Sequence, residues 1–342
     1  MFRIRTRGTH LPGSLIRAAF CVATGIALLL AIIHNVNANV GLKEQSKSVT
    51  IAPPGAPSIE QIDSAIDKAV QYLMSQQVNG KWDRPPDAGA APSWRLTALV
   101  LLALTDAGQS PQNADIRKST DILDEANVQD VQTAAMRAQF DGATAFARPN
   151  ARITRGADVL AAAALTGKAP PRKAFTPMVG EAFGSQNPDH ISSYFELLGL
   201  DACQENWAAI PGDFWKDADL QWRHHQLADG GWPFNASVQH DNPTESDFRS
   251  TAAGILALEL MAVTPHAIDT DAFDGCKGNA VDPELEKAMV WLGQRAPQMC
   301  GDLAAGKLRH PCETCWWFEK VLQATGNNRI TDRCAKIVTQ FR

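Results

Sequence analysis

The sequence predicts an all-α fold on three observations. Apolar residues recur at helical spacing along the chain, no stretch alternates polar and apolar residues at the period of a strand, and one helix–turn–helix unit returns. The chain has 342 residues, 45% hydrophobic and 20% charged, which suits one large core. Its net charge is −5 and no Lys/Arg-rich run follows the first 17 residues, which argues against a nucleic-acid partner.

The first element, residues 1–40, stands apart from the fold. Arg3, Arg5, Arg7 and Arg17 precede an uncharged run over residues 18–33, and Val36-Asn37-Ala38 offers small residues for cleavage after Ala38. This pattern predicts a signal peptide or a signal-anchor helix. The leading positive charges send the rest of the chain out of the cytoplasm, so the expected location is periplasmic or otherwise extracytoplasmic. An uncleaved segment makes the inner membrane a partner. Residues 41–57 are polar and Pro-bearing and read as a linker. Export also places Cys203, Cys276, Cys300, Cys312, Cys315 and Cys334 in an oxidising compartment, where disulfides are expected with their pairing open.

Residues 58–342 read as one domain built from helical pairs. Ser58 is a capping residue for a helix with Ile59, Ile62, Ile66, Val70 and Leu73 on one face and Glu60, Asp63, Asp67 and Gln71 on the other. A Gly- and Trp-bearing turn follows: Gln76, Gly80 and Trp82 in QQVNGKW return as Gln226, Gly230 and Trp232 in QLADGGW. Each turn leads to a very apolar helix, RLTALVLLAL from Arg95 and RSTAAGILAL from Arg249, with Thr97 and Thr251 at matching offsets. A blurred copy runs from Lys287 to Leu292 and on into CETCWWFEKVLQATG. Arg152-Ile153-Thr154 and SSYFELLGL from Ser192 read as two more degenerate inner helices. Amphipathic outer helices wrapped around apolar inner ones predict an (α/α)5-6 toroid with a central cavity.

The Gln-x-x-x-Gly-x-Trp turns followed by Ala/Leu-rich helices resemble the repeats of squalene–hopene cyclases and of protein prenyltransferase β subunits, in a single toroid. In that superfamily Gln ties to a helix end and Trp packs on it, so the resemblance implies a structural role for Gln76, Gly80, Trp82, Gln226, Gly230 and Trp232. It also implies an apolar, isoprenoid or lipid-like ligand in the cavity. The cyclases' acidic Asp-x-Asp-Asp is absent; Asp269-Thr270-Asp271-Ala272 and Asp217-Ala218-Asp219-Leu220 come nearest. The zinc-binding Asp, Cys and His set of the prenyltransferases has no counterpart, and no cofactor is expected.

The remaining candidates follow from residue chemistry. Arg95, Thr97, Arg249 and Thr251 sit at inner-helix starts, where a cation and the helix end together favour an anionic group; pairing with Asp247 or Glu245 is the plainer role. Trp316 and Trp317 offer aromatic faces to an apolar guest. Glu245, Asp247 and Arg249 are the candidates for catalysis. The turn QLADGGWP also resembles that of α/α-toroid pectate lyases, whose chemistry needs an Arg base and usually calcium; Asp241, Glu245 and Asp247 with Arg249 form the one matching cluster. His310, Cys312 and Cys315 have zinc-ligand spacing, with Cys300 or Cys334 as a fourth ligand, against the disulfide reading. His224, His225 and His240 read as capping or packing residues. Three functions stay open: an apolar-ligand binder, a polyuronate lyase-like enzyme, and a non-catalytic scaffold or interaction domain.

Overall fold

A computed structural model describes residues 58–83, 93–145, 150–164, 178–236, 245–263 and 282–325, apart from Gly184, Gln186, Gly212, Arg309 and the side chains of Ile59, Ala304 and Cys312. The expected export segment and linker (residues 1–57), Cys276, Cys334, His240 and Asp241 lie outside the described residues. Ten helices are present among those described: α1 (Ile59–Ser75), α2 (Arg95–Asp106), α3 (Ala114–Glu125), α4 (Val131–Thr144), α5 (Ala151–Ala164), α6 (His190–Glu205), α7 (Phe214–His224), α8 (Phe248–Val263), α9 (Pro283–Ala304) and α10 (Pro311–Thr325). The protein is all-α, as its sequence predicts. No described residue belongs to a strand; isolated bridges such as Asp189 with Asn235 join the loops. No helix of the described residues is long and apolar enough to cross a membrane.

Local chemistry sets the helix starts. Ser58 makes the expected capping box: its hydroxyl accepts the Gln61 N–H while the Gln61 amide oxygen accepts the Ser58 N–H. Three even-numbered helices start on an Asp-x-x-Ser/Thr cap. Asp130 accepts from Thr133 N–H, Asp189 from Ser192 N–H and Asp247 from Ser250 N–H, at 2.8, 2.7 and 3.0 Å. Asp83 serves α2 from across the turn, accepting from the N–H groups of Leu96 and Thr97.

The even-numbered helices form a row: α2 packs on α4, α4 on α6, α6 on α8 and α8 on α10. The odd-numbered helices lie against this row; α5 packs on both α4 and α6, and α9 on α8. Arg152-Ile153-Thr154 therefore opens the outer helix α5 and not an inner one. The inner helix that the sequence reading lacked is α4, whereas SSYFELLGL does fall in the row, on α6. Two apolar clusters share α4, which gives Val131, Ala135 and Ala138 to one and Met136 and Phe140 to the other.

The two Trp turns are built alike. The indole of Trp82 donates to the Leu73 carbonyl at 2.6 Å and that of Trp232 to the Trp222 carbonyl at 2.8 Å, closing each turn onto the helix before it. Their backbone N–H groups donate to Thr97 Oγ1 at 3.1 Å and Thr251 Oγ1 at 3.0 Å, closing each turn onto the helix after it. Gly80 and Gly230 have φ of 82° and 94°, where a side chain is strained. A Cβ on either would also meet the next outer helix, at Ile122 and Lys118 of α3 or at Lys287 of α9.

The tie to that outer helix corrects the alignment of the first turn. Gln226 Nε2 donates to the Glu284 carbonyl at the start of α9, 2.8 Å away. The residue that does this in the first unit is Gln77, whose amide donates to the Asp115 carbonyl at the start of α3 and to Ser119 Oγ. Gln76 turns instead to Ser75 Oγ on its own helix. The first turn is one residue shorter, so matching by glutamine-to-tryptophan spacing lands one position early.

Candidate functional site

The inner-helix starts are occupied by the chain itself. Thr97 and Thr251 are fully buried and accept the Trp N–H groups. Arg95 reaches Asp130, at 3.3 Å, and Glu181. Arg249 pairs with Glu313 of α10 at 3.2 Å and with Asp247 at 3.9 Å, its guanidinium over the Phe234 ring. Asp247 caps α8, and Glu245 is exposed. The four candidate anion-binding residues thus each have partners within the chain, the threonines in the Trp turns and the arginines on neighbouring elements.

The aromatic candidates stand elsewhere, where α6 meets α10. Phe195 of α6 stacks on Trp316 of α10 with nearly parallel planes, 6.3 Å between ring centres, while Tyr194 meets Trp317 at 5.6 Å. Helices α6 and α10 are not neighbours in the row, so these contacts curl it. Trp317 is buried and its indole N–H has no partner. Trp316 and Phe195 are only half-buried.

The first helix of the row presents a matching face. Leu96, Leu99, Ala103 and Asp106 follow at intervals of three or four and share one side of α2. Leu96 is 36% and Leu99 47% exposed, while Ala98, Leu101 and Leu104 on the opposite side are buried. At the end of this face Asp106 lies within electrostatic reach of Lys320 of α10.

Lys320 lies one turn beyond Trp316, its ammonium 6.0 Å from that ring. It makes no hydrogen bond or ion pair with any described residue. Burial lowers its pKa, opposed by the charges of Glu319 and Asp106. Burial likewise raises the carboxyls of Asp106 and Glu319, with Lys320 opposing. On α6, Asp201 shares a face with Tyr194 and Leu198, and burial, then Glu205, pushes it to about 6. Burial thus makes Asp106, Asp201, Glu319 and Lys320 all harder to ionise.

Two buried polar groups on α6 escaped the sequence reading. His190 donates from Nδ1 to the Pro233 carbonyl at 2.7 Å, and burial beside His225 pulls it down to about 3, so it is neutral. Glu196 is fully buried with neither carboxyl oxygen partnered, and burial alone raises it well above its usual range. It shares a helix face with Gly199 and Cys203, which meet Leu160 and Gly156 of α5. Nothing in an apolar run such as SSYFELLGL distinguishes a partnered glutamate from an orphaned one.

The cysteine and metal expectations find little here. Cys203 and Cys315 are thiols, and no disulfide is at bonding distance among the described residues. Burial holds Cys203 up at about 12, which leaves it inert at neutral pH. Cys315 lies near Cys300, across the α9–α10 pair. No described group of three or more His, Cys, Asp or Glu residues is placed to hold a metal ion. His310 is exposed.

Comparison with protein families, curated proteins and solved structures gave no match, so a functional reading rests on these residues alone.

Proposed function

We propose that residues 58–342 form a single α/α toroid, working outside the cytoplasm, whose interior wall holds an apolar isoprenoid- or lipid-like ligand without squalene-cyclase chemistry. One observation carries the reading: Leu96 and Leu99 of α2 are 36% and 47% exposed, whereas Leu197, Leu200, Leu256 and Leu258 of the same row are buried. Support comes from the half-buried Phe195 and Trp316, which stack on each other between α6 and α10, and from the curling of the row. The absence of an Asp-x-Asp-Asp acid in the sequence fits binding without cyclisation.

A scaffold role is the second reading. It is favoured by the inner-helix starts, where Arg95, Thr97, Arg249 and Thr251 all serve internal contacts. The lyase-like alternative draws no support from Arg249, whose guanidinium is held by Glu313 and Asp247.

Mass spectrometry of an organic extract of the purified full-length protein tests the proposal. An isoprenoid or lipid near one per chain supports it. A blank extract, repeated after incubation with isoprenoid alcohols and fatty acids, leaves the scaffold.

A further inference from the structure

An indole N–H is a donor only, and when buried it usually has an acceptor. Trp317 departs from this: the residue is 1% exposed and its Nε1 has no partner among the described residues. Its surroundings are aromatic. Trp316 lies 4.7 Å away between ring centres, Tyr194 5.6 Å and Phe195 6.5 Å, and Phe195 and Trp316 face each other with planes only 4° apart. Helices α6 and α10 each pack on α8 and reach each other through these rings. The other buried indole without an acceptor, Trp222, is set among buried rings, His190 at 5.1 Å and Trp232 at 6.4 Å. Trp317 differs in standing beside two half-buried rings, Phe195 and Trp316, part of whose surface stays accessible. A single unmet donor in an apolar, aromatic setting is how small-molecule sites fix the polar end of a ligand.

We propose that the apolar ligand carries a flat, conjugated head with a carbonyl oxygen, a quinone in chemical class. Its ring lies against Phe195 and Trp316, and its oxygen accepts the Trp317 N–H. The inference rests on the interior binding site proposed above and adds the ligand's head group. Two features select this class. The indole N–H cannot accept, so a ligand hydroxyl would bring a hydrogen that Trp317 leaves unpaired, whereas a carbonyl has only acceptor sites to fill. A flat π system also stacks on aromatic rings in the offset or edge-on arrangements they favour, which a saturated head cannot do.

Equilibrium dialysis of the full-length protein against duroquinone and durene tests the head group, because the two share a carbon skeleton and differ in the carbonyl oxygens. The duroquinone-to-durene affinity ratio is expected to fall about tenfold in Trp317→Phe, which keeps a ring and removes the N–H. Phe195→Leu is expected to weaken both probes and leave the ratio unchanged. In the wild-type protein, duroquinone is expected to move one of the nine indole N–H signals downfield in a nitrogen-15 NMR spectrum, and durene none. An unchanged ratio in Trp317→Phe, or no indole signal that answers to duroquinone alone, overturns the head group. If farnesol binds the wild-type protein in that case, the interior site stands. If neither flat probe nor farnesol binds, both readings fall.

Discussion

Replacing Thr251 by Val tests the repeated turn. Thr251 and Trp232 are both fully buried, and the Thr hydroxyl accepts the Trp232 N–H at 3.0 Å. Valine keeps the shape and removes the acceptor, leaving an amide donor buried with no partner. That loss costs about 1–3 kcal/mol. For a chain of this size it lowers the melting temperature by roughly 2–10 °C. Urea unfolding followed by tryptophan fluorescence and circular dichroism gives the free-energy change directly, with an unchanged slope if only stability moves. Thr97→Val has the same effect through Trp82. Arg249→Ala, which removes a half-exposed ion pair, costs less than about 1 kcal/mol. A Thr251→Val protein within about 0.3 kcal/mol of wild type, alongside a larger loss for Arg249→Ala, would refute the assignment of Thr251 as the turn's anchor.

Three further outcomes follow from the same contacts. Gln77→Ala lowers stability by about 1 kcal/mol in a urea titration because it frees the start of α3, whereas Gln76→Ala is near neutral; the reverse order would restore the sequence-based alignment. Glu196→Met, of similar size, raises stability by about 1–3 kcal/mol, since the carboxyl it removes is buried and unpartnered; a loss of stability would reveal a partner for Glu196. Asp201 is held at about 6 against an ordinary 3.8, so the folded chain keeps a proton that the unfolded chain releases between those values. Its contribution is therefore full below about pH 4 and lost as pH rises through 6, and Asp201→Asn flattens the fall in stability over that window.

Much of the fold was legible because turns and caps use few residue types. Gly80 and Gly230 need a positive φ, and each Trp closes a turn from both sides, so those positions stand out in a single sequence. Helix α4 was hidden by its polar residues. Arg137 and Asp141 look solvent-facing, yet Arg137 pairs with Asp124 at 2.6 Å and approaches Asp141 to 3.7 Å inside the protein. Helix α5 misled in the opposite way, since its run of alanines resembles an inner helix while Arg155 and Asp158 stay exposed. The Asp-x-x-Ser/Thr caps at Asp130, Asp189 and Asp247 recur at intervals of 59 and 58 residues and were the available signal for the inner helices.

The proposed interior wall was only half legible. Trp316 and Trp317 stand out as adjacent tryptophans, but RLTALVLLAL is apolar on every side. Which of its leucines remains accessible depends on how α2 is rotated against α4, to whose N-cap Asp130 it is joined through Arg95. Lys320 likewise looks like any surface lysine until Asp106 arrives from the far end of the row.

Farnesol titrated into the wild-type protein and into Leu99→Trp tests the interior site most directly. Leu99 is 47% exposed on α2, on the face proposed to line the interior, so a tryptophan there fills open space without disturbing the core. The account predicts saturable binding near one per chain for wild type and its loss in Leu99→Trp at unchanged melting temperature. Equal binding by the two proteins, or none by either, would contradict it.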